Sequence, residues 1–294
     1  MMNRSISSSK SKSRLSGCPT ERGVAAEQYT IRHFTNHDDC FACVELQKEI
    51  WGDDFGEVVP PSILLVSAKI GGITAGAFDS QERLVGFVFG MSGIKDGAAV
   101  HWSDMLAVKP GHRDAGLGLR LKAFQRQTCL ELGITRMYWS FDPLEARNAH
   151  LNINKLGAGI SEYVEDMYAD AQGHLHIGLN MDRCIMCWHL VESETERRPA
   201  ESLAAQTGAP PVLDLDALDG QGRIHNFPTA ASVRVAIPAS IQEVKKIDLQ
   251  TARRWRLFTK LCFQFYLGNN YAATGFHRGT NKERCYYHFE KREL

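Results

Sequence analysis

The stretch RDAGLGLRLK, residues 113–122, sets Gly116 and Gly118 one residue apart behind Arg113 and His112. The start of a helix leaves about four backbone N–H groups without intrahelical partners, and its dipole favours negative charge. Glycines at such a start let the backbone approach a phosphate with no Cβ in the way. Residues 113–118 therefore have the makings of an anion cradle, with a plain helix-start turn as the bland alternative. A dinucleotide fingerprint would need a third glycine where Leu121 stands, and a P-loop would need Gly-Lys-Ser/Thr, which is absent. What remains is R-x-x-G-x-G behind a strand ending V-x-P.

Acid–base candidates flank this turn. In VHWSDMLAV, His101 and Ser103 share one face of a strand, and Asp104 is either a base or a solvated edge residue. Glu145 in DPLEARN follows another strand, where a first-turn carboxylate would equally suit the helix dipole. Tyr163 and Tyr168 are proton donors by type, although tyrosines in strands commonly pack. Two CxxC pairs, Cys40/Cys43 and Cys184/Cys187, invite a four-thiolate zinc reading. The first pair falls on an amphipathic helix. The second falls on a strand, where residues three apart point to opposite faces. No metal site is expected.

The elements that must position these residues follow from periodicity. QYTIRHF alternates as a first strand, and Asp38–Trp51 has helical spacing. ILLVSAKIGGITAGAFD and RLVGFVFGMSGI read as two apolar strands joined by polar residues near 79–83. VHWSDMLAVKP is a strand stopped by Pro110. A helix over about 116–133 places Leu119, Leu121, Phe124, Cys129 and Leu132 at buried spacings. ITRMYWSF, the short helix AHLNINKLGAG, EYVEDMYAD and RCIMCWHLVE complete a β-α-β-β-β-α-β-α-β-β block. This is an α/β layer fold.

Outside that block, residues 1–28 are expected to form a disordered basic arm, since no apolar core follows their Ser, Lys and Arg. Residues 193–229 read as a polar linker, and 230–294 as a β-α-β-β extension. Its helix carries the stripe Trp255, Phe258, Leu261 and Phe265, too apolar to leave in water, so the extension is expected to pack on the main sheet. Its arginines are expected on a wet face, where Arg253, Arg254 or Arg256 could meet an acceptor carboxylate. With 34 basic and 34 acidic residues the chain carries no formal net charge, which argues against nucleic acid or an anionic membrane as partner. No apolar run reaches the ~20 residues of a membrane span, and a cytoplasmic location is expected.

LAVKPGHRDAGLGLRLK resembles motif A of the GNAT acyltransferases, which hold the pyrophosphate of acetyl-CoA on this turn. SFDPLEARNAHLNINKLGA falls where the family's second CoA-contacting segment lies. The resemblance covers residues ~30–192 and extends to a branch of predicted GNAT proteins with a C-terminal extension. It implies the GNAT fold with a mixed central sheet at 29–192. It also implies an acetyl-CoA (or other acyl-CoA) co-substrate, and transfer of an acetyl or succinyl group to the amine of a small molecule such as an amino acid. By the same resemblance Arg113, Asp114, Ala115, Gly116, Leu117 and Gly118 cradle phosphate through their backbone. Leu106, Ala107 and Val108 pair with pantetheine, and Asn148 contacts CoA. Asp104, Ser103 and Glu145 are the catalytic candidates. One departure stands out: the family's usual acid tyrosine is replaced here by Ile153. That keeps a non-catalytic acyl-CoA binding module as the alternative, with an interaction protein working through its tail as a third reading. Whether two copies associate as a homodimer is left open.

Overall fold

The computed structural model describes residues 29–168, 178–191 and 210–292. The expected arm at 1–28 and residues 193–209 of the expected linker lie outside the described residues. Seven strands form the first sheet: β1 (Thr30–His33), β2 (Ile73–Phe78), β3 (Leu84–Lys95), β4 (Ala98–Val108), β5 (Arg136–Phe141), β6 (Gly159–Val164) and β7 (Arg183–His189). Their order is β1-β2-β3-β4-β5-β7-β6. Only β4 and β5 run parallel; the other pairs are antiparallel. A parallel pair needs a crossover. Here the 3₁₀ turn Pro110–Ala115 and helix α3 (Leu117–Glu131) provide it.

Helices α1 (His37–Trp51) and α2 (Pro61–Lys69) cover one face of β2–β4, through Cys43, Leu46, Leu64, Phe87, Phe89 and Met105. Helix α3 covers the other face, together with α4 (Ala146–Ala149) and the π-helical turn His150–Lys155 that continues it. Helix α2 corrects the sequence reading, which took ILLVSAK as the start of a strand. Pro61 at the first helical position, where a missing N–H costs nothing, starts a helix instead. The stripe on α3 is also corrected. Leu119 and Leu132 are exposed, while Leu117, Leu121, Lys122, Gln125 and Cys129 are buried.

The C-terminal extension forms a second sheet of order β10-β11-β9-β8. It comprises β8 (Val212–Leu213), β9 (Ser232–Pro238), β10 (Tyr271–Arg278) and β11 (Arg284–Lys291), with α5 (Ile241–Ile247) and α6 (Leu249–Gly268) between β9 and β10. Within the expected linker, Val212–Leu213 pairs with β9, and Phe227 stacks on Phe265 with ring centroids 4.1 Å apart. The two sheets share one continuous apolar core, running from Met186 and Trp188 to Trp255, Phe258 and Phe289. The α/β fold with a mixed central sheet and a packed C-terminal extension is thus as expected.

Four polar contacts pin the segment after β5 to this extension. Arg256 of α6 grips Asp142 through two hydrogen bonds of 2.9 and 2.6 Å, both residues buried. Tyr287 donates to the carbonyl of Pro143 at 2.7 Å, and Gln242 donates to Glu145 at 2.7 Å. Asn154 accepts from the Phe276 N–H at 3.1 Å and donates to its carbonyl. The expectation that the extension's arginines line a wet face is corrected at Arg256 alone; Arg253 and Arg254 are exposed. Arg254 is spent on the carbonyl of Leu218 and Arg253 on that of Gly178. Arg256 is enclosed because a paired guanidinium–carboxylate fork can be buried where a lone charge cannot.

Candidate active site

Strands β4 and β5 are in register only at His101↔Met137 and Trp102↔Tyr138. Beyond that pair they part, so the backbone of β4 from Ser103 to Val108, Asp104 apart, keeps its partners on β3 but has none on β5. Such an edge can take an extended ligand as an extra strand. Leu106, Ala107 and Val108, the expected pantetheine positions, lie along it.

The glycine turn lies at the same end of β4. Gly116 has φ +69°, a left-handed conformation that closes the 3₁₀ turn and opens α3. No side chain caps the helix, and its first backbone bond is from Arg120 N to Gly116 O. The N–H groups of Leu117, Gly118 and Leu119 therefore have no intrahelical partner. A Cβ at Gly116 would meet nothing within 4 Å, so the turn opens outward. Arg113 is exposed, with its Nε donating to Val108 O at 3.1 Å. Ala115 packs on the core, the Leu117 side chain is fully buried, and the Asp114 side chain lies outside the described residues. Tyr29 steadies the turn from β1 through its hydroxyl and His112 Nδ1, 2.9 Å apart. Asn148 is exposed on α4.

A β-bulge decides which acid–base candidates face the splay. Phe89 pairs with Met105 and Gly90 with Ser103, leaving Asp104 as the extra residue. A bulge re-aims a side chain. Asp104 turns to the face of Trp102, whose Nε1 donates to it at 3.2 Å. Protein atoms crowding the mouth raise its carboxyl above the usual range, and the Trp102 hydrogen bond offsets part of this. Glu57, from the loop between α1 and α2, reaches over the same mouth. Its carboxyl is raised by burial and then by Asp104, while Arg183 of β7 opposes the shift.

The other lip belongs to β5. Ser140 lies two residues beyond the last paired residue, as Asp104 does on β4, so both stand at the mouth on one face. The Ser140 hydroxyl is 3.2 Å from the Tyr168 hydroxyl, and the Arg183 guanidinium lies 5.6 Å from the Tyr168 ring centroid. Asp104, Glu57, Arg183, Tyr168 and Ser140 thus form an open ring of polar groups around the mouth of the splay.

Ser103 and Glu145 are not in that ring. Ser103 is buried against α3 and accepts from Lys122 Nζ at 2.7 Å. Beside it His101 is enclosed, with Gln125 at 2.9 Å from Nε2 and Ser92 at 3.1 Å from Nδ1; burial pushes it down to about 4. Glu145 faces Gln242 in the junction with the extension, where burial raises its carboxyl. Tyr163 donates to Asp182 at 2.7 Å, and burial drives its phenol well up. Ile153 is buried in the core. Cys40 and Cys43 pack under α1, and Cys184 and Cys187 point to opposite faces of β7. No helix among the described residues is long and apolar enough to cross a membrane.

No protein-family model matches this sequence, and no curated protein does. Solved structures do. An acetyltransferase of the GNAT family from Streptococcus pneumoniae is 18% identical with a TM-score of 0.44, over 55% of this chain and 99% of that one. The chain is similar to the GNAT acetyltransferases. The putative acetyltransferase yncA from Salmonella typhimurium, solved with its cofactor acetyl-CoA, is 19% identical with a TM-score of 0.43, over 56% of this chain and 95% of that one. The ribosomal-protein-S18-alanine N-acetyltransferase from Escherichia coli is 14% identical with a TM-score of 0.43, over 57% and 97%.

Among the described residues, sequence reasoning missed Glu57, Ser140 and Arg183 altogether. No spacing signals them, because they reach the mouth from a loop and two strands far apart in the chain. A polar residue two places past a parallel register would have been the signal for Ser140, had the register been known.

Proposed function

We propose that this chain is a CoA-dependent N-acyltransferase of GNAT type, moving an acetyl (or succinyl) group from acyl-CoA to the amine of a small molecule. The observation that carries the reading is the splay of β4 from β5 directly beside the uncapped, glycine-opened start of α3. The splay offers a backbone edge for an extended thioester arm, and the turn offers N–H groups for its phosphates. Residues 113–118 would hold the phosphates, and Leu106, Ala107 and Val108 the pantetheine, with the acyl carbonyl near the mouth. Holding the two reactants there is the main contribution to rate.

The attacking amine must be neutral. Asp104, a carboxylate at the mouth, suits the transfer of a proton away from an ammonium group. Glu57 across the mouth adds negative charge that favours a cationic acceptor. Arg256 is engaged with Asp142 and so does not meet an acceptor carboxylate.

The test is a calorimetric titration with acetyl-CoA and succinyl-CoA, followed by free-thiol release over a panel of amines. Binding with amine-dependent thiol release is the expected result. Binding without release from any amine would favour the non-catalytic acyl-CoA module, the reading that the buried Ile153 supports. Absence of binding would overturn both.

A further inference from the structure

One carboxylate stands between the C-terminal extension and the mouth. Asp142, the residue after β5, is buried, and so are the two arginines that face it. Arg256 of α6 takes both of its oxygens, at 2.9 and 2.6 Å. Arg183 of β7 is left 3.7 Å from Oδ2, beyond hydrogen-bond distance. The Arg183 guanidinium lies 5.6 Å from the Tyr168 ring centroid, and its charge opposes the rise of the Glu57 carboxyl. Glu145 and Lys245 of α5 also act on Asp142, while Tyr163 and Asp182 act on Arg256. A bidentate fork holds a carboxylate more firmly than one long contact does. The fork from the extension therefore keeps Asp142 from drawing Arg183 inward, and Arg183 stays with the mouth.

We propose that Arg183 is a specificity-determining residue of the mouth, and that Arg256 of the extension positions it through Asp142. The inference rests on the acyltransferase reading above. The mouth then carries both signs of charge. Asp104 and Glu57 suit the ammonium end of an acceptor, and Arg183 suits an anionic group on the same molecule. The substrate class is a zwitterionic amine, whose acyl-accepting nitrogen is joined to a carboxylate. Without the Arg256 fork, Asp142 would be a buried carboxylate with Arg183 as the cation at hand. An uncompensated buried charge is costly, so Asp142 would capture Arg183 and the mouth would lose its positive charge. The extension thus shares in the choice of acceptor although Arg256 itself stays buried.

Three amines of one length separate the charges: 4-aminobutanoate, 4-aminobutanamide and 1,4-diaminobutane, with anionic, neutral and cationic tails. Calorimetry on the full chain saturated with CoA gives their Kd, and thiol release from acetyl-CoA gives kcat/KM. The parent is expected to favour 4-aminobutanoate over 1,4-diaminobutane in both. Arg183→Gln should shift that ratio toward the diamine by about tenfold, the scale of one unit charge felt at roughly 10 Å in a partly buried site. Arg256→Met should shift it the same way. Adding Asp142→Asn to Arg256→Met should restore the parent ratio, because a neutral amide does not draw Arg183 away. If Arg256→Met does not fold, Arg256→Lys, a point charge in place of the fork, should give a smaller shift of the same sign. Tyr287→Phe removes a different contact between the extension and this segment, its hydrogen bond to Pro143, and should leave the ratio unchanged. An unchanged ratio in folded Arg183→Gln would overturn the proposal, as would a double variant that departs from the parent ratio. Thiol release with no tail preference in the parent would also overturn it, leaving the acyltransferase reading in place. Tail-dependent binding with no thiol release would do the reverse, so the two failures are separable.

Discussion

Lys122 is buried, and among the described residues it makes no ion pair. Its Nζ donates to Ser103 Oγ at 2.7 Å and lies 4.1 Å from the Trp139 ring centroid and 3.9 Å from Met137 Sδ. Burial pulls its pKa from the usual 10.5 down to about 7. The folded chain therefore binds fewer protons than the unfolded chain between pH 7 and 10.5. A folded pKa depressed below the unfolded one makes stability rise with pH across that window. At about 1.4 kcal/mol per unit, keeping this lysine costs the fold about 4–5 kcal/mol at pH 7 and below. Lys122→Met retains the apolar stem and removes the titratable group. Leaving Ser103 without its partner costs about 1–2 kcal/mol in return. The variant should thus be more stable than the parent by about 2–4 kcal/mol at pH 7, with the advantage vanishing near pH 9–10 and reversing to a deficit of about 1–2 kcal/mol at pH 10.5. Urea unfolding of both proteins at pH 6, 7, 8, 9 and 10 reads this directly. A difference that stays constant across that range, or a parent more stable than the variant at pH 6, would refute the reasoning.

Gly118→Glu should abolish CoA binding in a titration while leaving circular dichroism unchanged, because a carboxylate would stand at the phosphate turn. Gly116→Glu should do the same and also lower the melting temperature, since φ +69° strains any side chain by about 1 kcal/mol; micromolar binding by either folded variant would remove the turn from the site. Arg256→Met leaves the buried Asp142 carboxylate, now held below its usual range by Arg256 against its own burial, without its main partner. A loss of about 3–5 kcal/mol in denaturant unfolding is expected. Gly90→Ala would put a Cβ 2.3 Å from His101 Nε2 and 2.6 Å from the Trp102 carbonyl, so a loss of about 3 kcal/mol or insolubility is expected. Truncation after residue 195 should yield aggregated protein, as it exposes core residues of the first sheet; a soluble fragment that still binds CoA would contradict the shared core.

The glycine turn was legible because its signal is local: backbone freedom, a strand before it and a helix after it lie within twenty residues. Helix α2 was not, because nine residues lack room to show a period, although Pro60 and Pro61 marked its start. The buried face of α3 was misjudged for a different reason. Lys122 and Gln125 are polar by type, and only the buried hydrogen-bonding partners Ser103 and His101 make them core residues. The bulge at Asp104 belongs to the pairing of β3 with β4, not to either strand alone. The mouth of the splay was therefore beyond any reading of spacing.

The pinning of the β5–α4 segment by the extension has a consequence for how the chain is made. Asp142 waits for Arg256, 114 residues later, Asn154 waits for Phe276, 122 residues later, and Pro143 waits for Tyr287, 144 residues later. At a synthesis rate of about 5–20 residues per second, the last of these partners follows roughly 7–30 s behind. Through that interval the nascent chain carries a finished glycine turn, but the segment after β5 lacks the partners that pin it. A half-made protein of this design exposes apolar surface until its last strand is in place.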